Sequence, residues 1–236
     1  MSRIPAVHVE RTILVPLIAF TTARNVPVLF LSFFAATLTA AVLTLDKLPG
    51  DLAASAGFQA FNTPWLLDMM LFGDLAGGNQ WLFALLGVSL LTCAALRRWR
   101  DVSVLAVSAG FFALSPLLKL AIQRPRPWVE GFDAVINPAG YSFPSGHALG
   151  SGLIFGSITL VVVLALRGRP LLQVAVASAG LGVIMIVGAS RVFLGAHWTS
   201  DVVAGYVLAA LFLLIAWRIV RYGAQQLRPA AVRSGI

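Results

Sequence analysis

Long apolar stretches, broken by short polar ones, run through most of the chain. Six of them, at about 26–45, 80–96, 102–122, 147–166, 171–190 and 202–220, are each roughly 17 to 22 residues long, enough for a helix to cross a hydrocarbon core about 30 Å thick. Backbone groups in lipid have to be satisfied within their own segment, so the pattern predicts an all-α, polytopic membrane protein, a six-transmembrane-helix bundle. Two shorter apolar patches, Phe58 to Phe61 and Trp65 to Phe72, lie in the longest break, 46–79, which Pro49, Pro64 and the glycines between Gly73 and Gly78 interrupt. Neither can span. They read as short interfacial helices that shape a lateral lipid entry on the outer leaflet, or as a plain connector. Ile13 to Phe20 is also too short and predicts a further interfacial helix, with no small-residue cleavage site to mark a cleaved signal peptide. Pro125, Pro127, Trp128 and Pro138 predict an extended, turn-rich connection between the third and fourth spans. No repeat or soluble linker divides the chain, so residues 1–236 read as a single membrane-embedded domain.

Composition agrees, because 59% hydrophobic content with only 11% charged residues does not make a water-facing surface. The net charge of +8 raises the question of a nucleic-acid partner, but the cations follow topology. Twelve of them (Arg3, Arg11, Arg24, Arg97, Arg98, Arg100, Arg167, Arg169, Arg218, Arg221, Arg228 and Arg233) fall on one side of alternating spans, against five (Lys47, Lys119, Arg124, Arg126 and Arg191) on the other. The positive-inside rule makes the first side cytoplasmic, with both termini there. This distribution implies no nucleic acid. The single Cys93 lies in an apolar run and reads as a packing residue.

Polar residues that the bilayer would penalise cluster at three places on the outer side: KLAIQRPRP from Lys119 to Pro127, FPSGH from Phe143 to His147, and SRVFLGAHWTSD from Ser190 to Asp201. His197 and Asp201 are spaced i, i+4, so on a helix they share a face, and a carboxylate on one ring nitrogen leaves the other free to attack. A polar cluster at a helix start, with Trp198 as an interface anchor, accounts for the same residues. A metal site needs more ligands than two outer histidines and one acid provide. Ser145 and Gly146 stand at the entrance to the fourth span, where free N–H groups favour an anion, and His147 just inside can donate a proton; an ordinary Pro-Ser-Gly turn is the plainer reading. Lys119 either snorkels or lines a polar cavity. Arg126 and Arg191 can each grip phosphate oxygens in a fork. Arg124 forms a second Arg-Pro pair two residues before Arg126 and leaves the register open.

Taken together, Lys119 with Arg126-Pro127, Pro144-Ser145-Gly146-His147, and Ser190-Arg191 with His197 and Asp201 resemble the type-2 phosphatidic acid phosphatase superfamily, in its membrane branch. The resemblance covers a motif core of 119–201. It implies that His197 is the phosphate nucleophile, Asp201 orients it, and His147 is general acid and then base. It further implies that Lys119, Arg126, Ser145, Gly146 and Arg191 hold phosphate oxygens, and its spacing selects Arg126 over Arg124. The expectation is a metal-independent, cofactor-free hydrolase of a lipid phosphate or pyrophosphate, with polyprenyl pyrophosphate or a glycerophospholipid phosphate favoured. It would work through a phosphohistidine on the extracytoplasmic face of a bacterial inner membrane, with membrane lipids as its surroundings. A lipid phosphotransferase shares the first half-reaction, and a non-catalytic lipid-binding or transport protein is the rival of another class.

Overall fold

The computed structural model describes residues 10–45, 47–61, 63–130 and 134–226. These are helical and carry no strand: α1 (Glu10–Thr44), α2 (Asp51–Gln59), α3 (Pro64–Ala76), α4 (Asn79–Ala95), α5 (Trp99–Phe112), α6 (Ser115–Ile122), α7 (Gly146–Ala165), α8 (Pro170–Phe193) and α9 (Thr199–Gln226), with a 3-10 turn at Pro127–Glu130. Five segments are long and apolar enough to cross a membrane, namely Asn25–Thr44, Trp99–Ile122, Gly146–Ala165, Pro170–Phe193 and Thr199–Arg221. A sixth is reached if α3 and α4, bent by 57° against each other, form one broken span. The expected bundle is therefore present, with two differences. The third span is interrupted between α5 and α6, just before Pro116, whose ring cannot continue the helical hydrogen-bond ladder. Ile13 to Phe20 is not a separate interfacial helix but the first part of α1, continuous with the first span.

α7 is the hub, packed against α8, α9, α5 and α4. Ala148, Leu149, Leu153 and Ile154 on it are fully buried. Lipid is as apolar as these side chains, so close backbone approach has to supply much of the helix association. Gly205 of α9 shows this: a Cβ there would stand 2.8 Å from the Ala148 side chain and 2.9 Å from the Ser145 carbonyl. The outer faces carry large apolar groups such as Leu171 (86% exposed), Leu91 (74%) and Phe33 (72%), which lipid covers without cost. Cys93 is buried in the α4–α5–α7 core, as a packing residue should be.

The segment between α1 and α4 packs onto the rest of the bundle. α3 lies along α8, where Leu66 and Met70 meet Phe193 and Leu194. α2 is pinned by Gln59, whose Nε2 donates to the Phe193 carbonyl at 2.8 Å. It is thus more than a connector.

Candidate active site

Alternation of the spans brings the C-terminal ends of α1, α6 and α8 and the starts of α4, α7 and α9 to one end of the bundle. There a cavity of about 410 Å³ is lined by Lys119, Arg126, Gly146, His147, Arg191 and His197 together with apolar groups such as Phe83, Phe112, Ala113 and Pro116. Six of the eight motif residues expected at the site meet in this one space. The other two, Ser145 and Asp201, lie behind its wall. Ser145 is the N-cap of α7, fully buried, its hydroxyl accepting from the Ala148 N–H at 3.5 Å while its own N–H donates to the Asp201 carbonyl at 3.0 Å. Capping the helix and holding a phosphate oxygen are compatible duties for this side chain.

His197 sits in the turn between α8 and α9, its N–H donating to the Arg191 carbonyl at 3.1 Å. Its Nδ1 is 3.4 Å from Oδ2 of Asp201, within ion-pair reach but not aligned as a hydrogen bond. Such contacts are commonly loose before substrate draws them tight. Nε2 faces the other way and lies 3.2 Å from Nη1 of Arg126. Burial first, then the charges of Lys119, Arg126 and Arg191, push the His197 imidazole well below its ordinary value, so the ring is neutral at pH 7. A neutral ring with its proton on Nδ1, toward Asp201, has a lone pair on Nε2.

The cations are held by backbone carbonyls. Lys119 Nζ donates to Tyr141 O at 2.9 Å and Ser142 O at 3.4 Å, so it points into the polar site instead of snorkelling. Arg126 donates through Nε to Gly140 O at 2.8 Å and through Nη1 to Ala196 O at 2.7 Å. Burial and the nearby Arg191 charge lower its pKa to about 10, leaving it cationic at neutral pH. Arg191 pairs through Nη1 with Asp74, while its buried Nε has no hydrogen-bond partner. A buried donor left unmatched suits an anion.

Three residues outside the sequence assignment complete the site. Asp74, near the end of α3, also lies 3.3 Å from Nε2 of His147 through its Oδ1. Arg124 is buried and donates to Asp201 Oδ1 at 2.6 Å, Ser200 Oγ at 2.8 Å and Asp51 Oδ2 at 2.8 Å. Asp51, on α2, in turn accepts from the N–H and hydroxyl of Ser200 at 2.9 and 2.6 Å. Of the two Arg-Pro pairs, Arg126 lines the cavity and reaches His197, while Arg124 grips Asp201. Trp198 is no interface anchor. It is 1% exposed, its Nε1 donates to Pro125 O at 3.2 Å, and the Arg124 guanidinium lies 5.7 Å from its ring centroid. A signal for the missed acids did exist, since Asp51 and Asp74 sit in apolar surroundings where a carboxylate is costly unless paired.

Residues 82–224 match the PAP2 superfamily. The chain belongs to this superfamily. It is 29% identical over 192 residues to phosphatidylglycerophosphatase B of Bacillus subtilis (strain 168), a match covering 79% of this chain and 90% of the relative. It is 30% identical over 181 residues to decaprenylphosphoryl-5-phosphoribose phosphatase of Mycobacterium tuberculosis, covering 74% and 84% respectively. A crystal structure of a transmembrane PAP2 type phosphatidylglycerolphosphate phosphatase from Bacillus subtilis superposes with a TM-score of 0.72 at 25% identity, covering 86% of this chain and 98% of that one. The fold is shared with Aquifex aeolicus LpxE, at a TM-score of 0.61 and 18% identity, over 74% of this chain and 98% of that one. The chain is accordingly a multi-pass membrane enzyme of the lipid phosphatase family.

Proposed function

We propose that this enzyme hydrolyses a glycerophospholipid phosphate or a polyprenyl pyrophosphate on the extracytoplasmic face, through a phosphohistidine on His197. The observation that carries this reading is the mixed lining of one cavity: cations and two imidazoles together with aromatic and aliphatic groups, the complement of a phosphate carried on an apolar tail. Lys119, Arg126 and Arg191 hold the phosphate oxygens, with Gly146 allowing close approach at the start of α7 and Ser145 fixing that start. Nε2 of His197 attacks phosphorus in line, the P–O bond to the lipid breaks, and His147 gives its proton to the leaving oxygen. Water, deprotonated by His147, then splits the P–N bond. Asp201 stabilises the charge that develops on His197. The similarity over nine-tenths of a phosphatidylglycerophosphatase supports the glycerophospholipid substrate in particular.

The test is phosphate release by the purified protein in detergent from a panel of phosphatidylglycerophosphate, phosphatidate, polyprenyl pyrophosphate and lipid A. At least one should turn over, and His197→Ala should abolish both release and an acid-labile, base-stable phosphoryl label on the protein. Normal turnover by His197→Ala would remove the nucleophile assignment. Label passing to a second lipid, with no free phosphate, would make the enzyme a transferase.

A further inference from the structure

Asp74 belongs to none of the three motifs, yet its Oδ1 touches two of their residues, Nη1 of Arg191 and Nε2 of His147 at 3.3 Å. Its helix holds it there firmly. α3 lies along α8, and the glycine three residues after Asp74, Gly77, is pressed so closely that a Cβ would stand 2.4 Å from Val187 and 2.7 Å from the His147 ring. The ring is therefore backed by α3 on one edge and held by a carboxylate from the same helix at Nε2. Besides Asp74, the charged groups around His147 are Arg191 on α8, Lys119 on α6, Arg126 in the long loop and His197 before α9; α4 contributes the uncharged Asn79. Every one of these except Asp74 is cationic or can become so.

Building on the proposed hydrolysis, we infer that Asp74 is the positioning residue of the proton donor: it aims His147 through Nε2 and offsets the surrounding cations, which oppose protonation of the ring. The arrangement gives His147 the kind of orienting carboxylate that Asp201 gives His197, from a different helix. With Nε2–H directed at Asp74, the second N–H, on Nδ1, passes to the leaving oxygen. The N–H bond breaks, an O–H bond forms, and the ring becomes neutral. In the second half-reaction the same nitrogen takes a proton from the attacking water and the imidazolium is restored against Asp74. Because Asp74 also pairs with Arg191, it ties the proton donor to one arm of the phosphate clamp.

The experiment compares Asp74→Asn with the wild type on the lipid phosphate that the wild type turns over fastest and on p-nitrophenyl phosphate, whose leaving group departs without a proton. A positioned general acid contributes about 10²–10⁴-fold, so loss of its orienter should lower kcat/KM on the lipid by about tenfold or more. The loss on the nitrophenyl ester should be clearly smaller. The basic limb of the pH profile for the lipid should move to lower pH, because the imidazolium has lost its counter-ion. In a His147→Ala background the same substitution should cost much less than in the wild type, since the two residues act as a unit. Equal losses on both substrates, an unmoved limb and additivity with His147→Ala would overturn the inference and leave Asp74 as a support of Arg191 alone. Asp74→Ser serves the same comparison should the Asn variant fail to fold. If the wild type releases no phosphate from any lipid, it is the proposed function that fails.

Discussion

Arg124 and Arg126 are two residues apart and carry the same charge, but their surroundings give them opposite duties. Arg126 lines the cavity, so Arg126→Ala should leave the fold intact and slow kcat/KM by about tenfold or more, given roughly 1.5–3 kcal/mol for a charge-assisted bond. Arg126→Lys should rescue it only in part, because a point charge lacks the fork. Arg124→Ala strands the buried carboxylates of Asp51 and Asp201, and removing one partner of such a pair costs about 3–5 kcal/mol. It should lower the thermal midpoint in detergent as well as activity, and a thermal scan beside the kinetics separates the two variants. The His197 ring, held neutral below its ordinary range, makes a pH prediction. Its nucleophilic form persists on acidification, so the acid limb of kcat/KM should fall below the ordinary histidine value of about 6.5. The associated stability is fully present above that unfolded value and declines as pH drops toward the folded one. The cavity residues were legible because chemistry needs particular side chains at particular spacings. For Asp51 and Asp74 the apolar surroundings signal only that a partner is needed; which partner, and the duty of Arg124, were not legible, because each contact crosses tens of residues that no local spacing encodes.

At the scale of elements, the α3–α4 bend is the feature on which the site most depends. Gly77 lies in the bend with Val187 and the His147 ring where its Cβ would be. Gly77→Ala has to move one of them, and overpacking of this kind costs about 1–3 kcal/mol. It should reduce kcat more than it raises KM, since the displaced ring serves proton transfer; steady-state kinetics on the lipid substrate checks this. Five of the six spans were readable from apolar length alone, to within a few residues; the expected span at 80–96 crosses only if α3 joins α4 as one broken span. What length could not show is the interruption between α5 and α6, that the first short patch would fall at the end of α2, or that α2 and α3 would both pack on α8. Apolar runs of that size are equally consistent with an interface and with a protein neighbour, and only the partner face decides.

For the whole molecule, the arginines fall at the two ends of the bundle in a way that fixes a topological expectation. Arg97, Arg98, Arg100, Arg167 and Arg169 lie at the end opposite the cavity. Reporter fusions after Arg100 and after Arg169 should therefore score cytoplasmic, and fusions near Gly131 extracytoplasmic. The reversed pattern would put the cavity in reach of a different pool of lipids. The bundle architecture followed from hydropathy, but the cavity did not. It arises where the broken third span, the starts of α4 and α7, and the end of α8 with the turn after it fail to close against one another, which is a property of helix packing and not of any one segment.

The contact between Arg126 and Nε2 of His197 bears on which reagents can reach the nucleophile. In this arrangement a guanidinium N–H covers the lone pair, and His197 is only 3% exposed, whereas the His147 side chain is 25% exposed. An incoming electrophile has to carry negative charge to draw the guanidinium aside. Neutral acylating agents such as diethyl pyrocarbonate should accordingly modify His197 slowly although its ring is neutral, and peptide mapping after brief treatment should show faster modification in Arg126→Ala. Charge on the electrophile, more than shape, would then be what unlocks the attacking nitrogen.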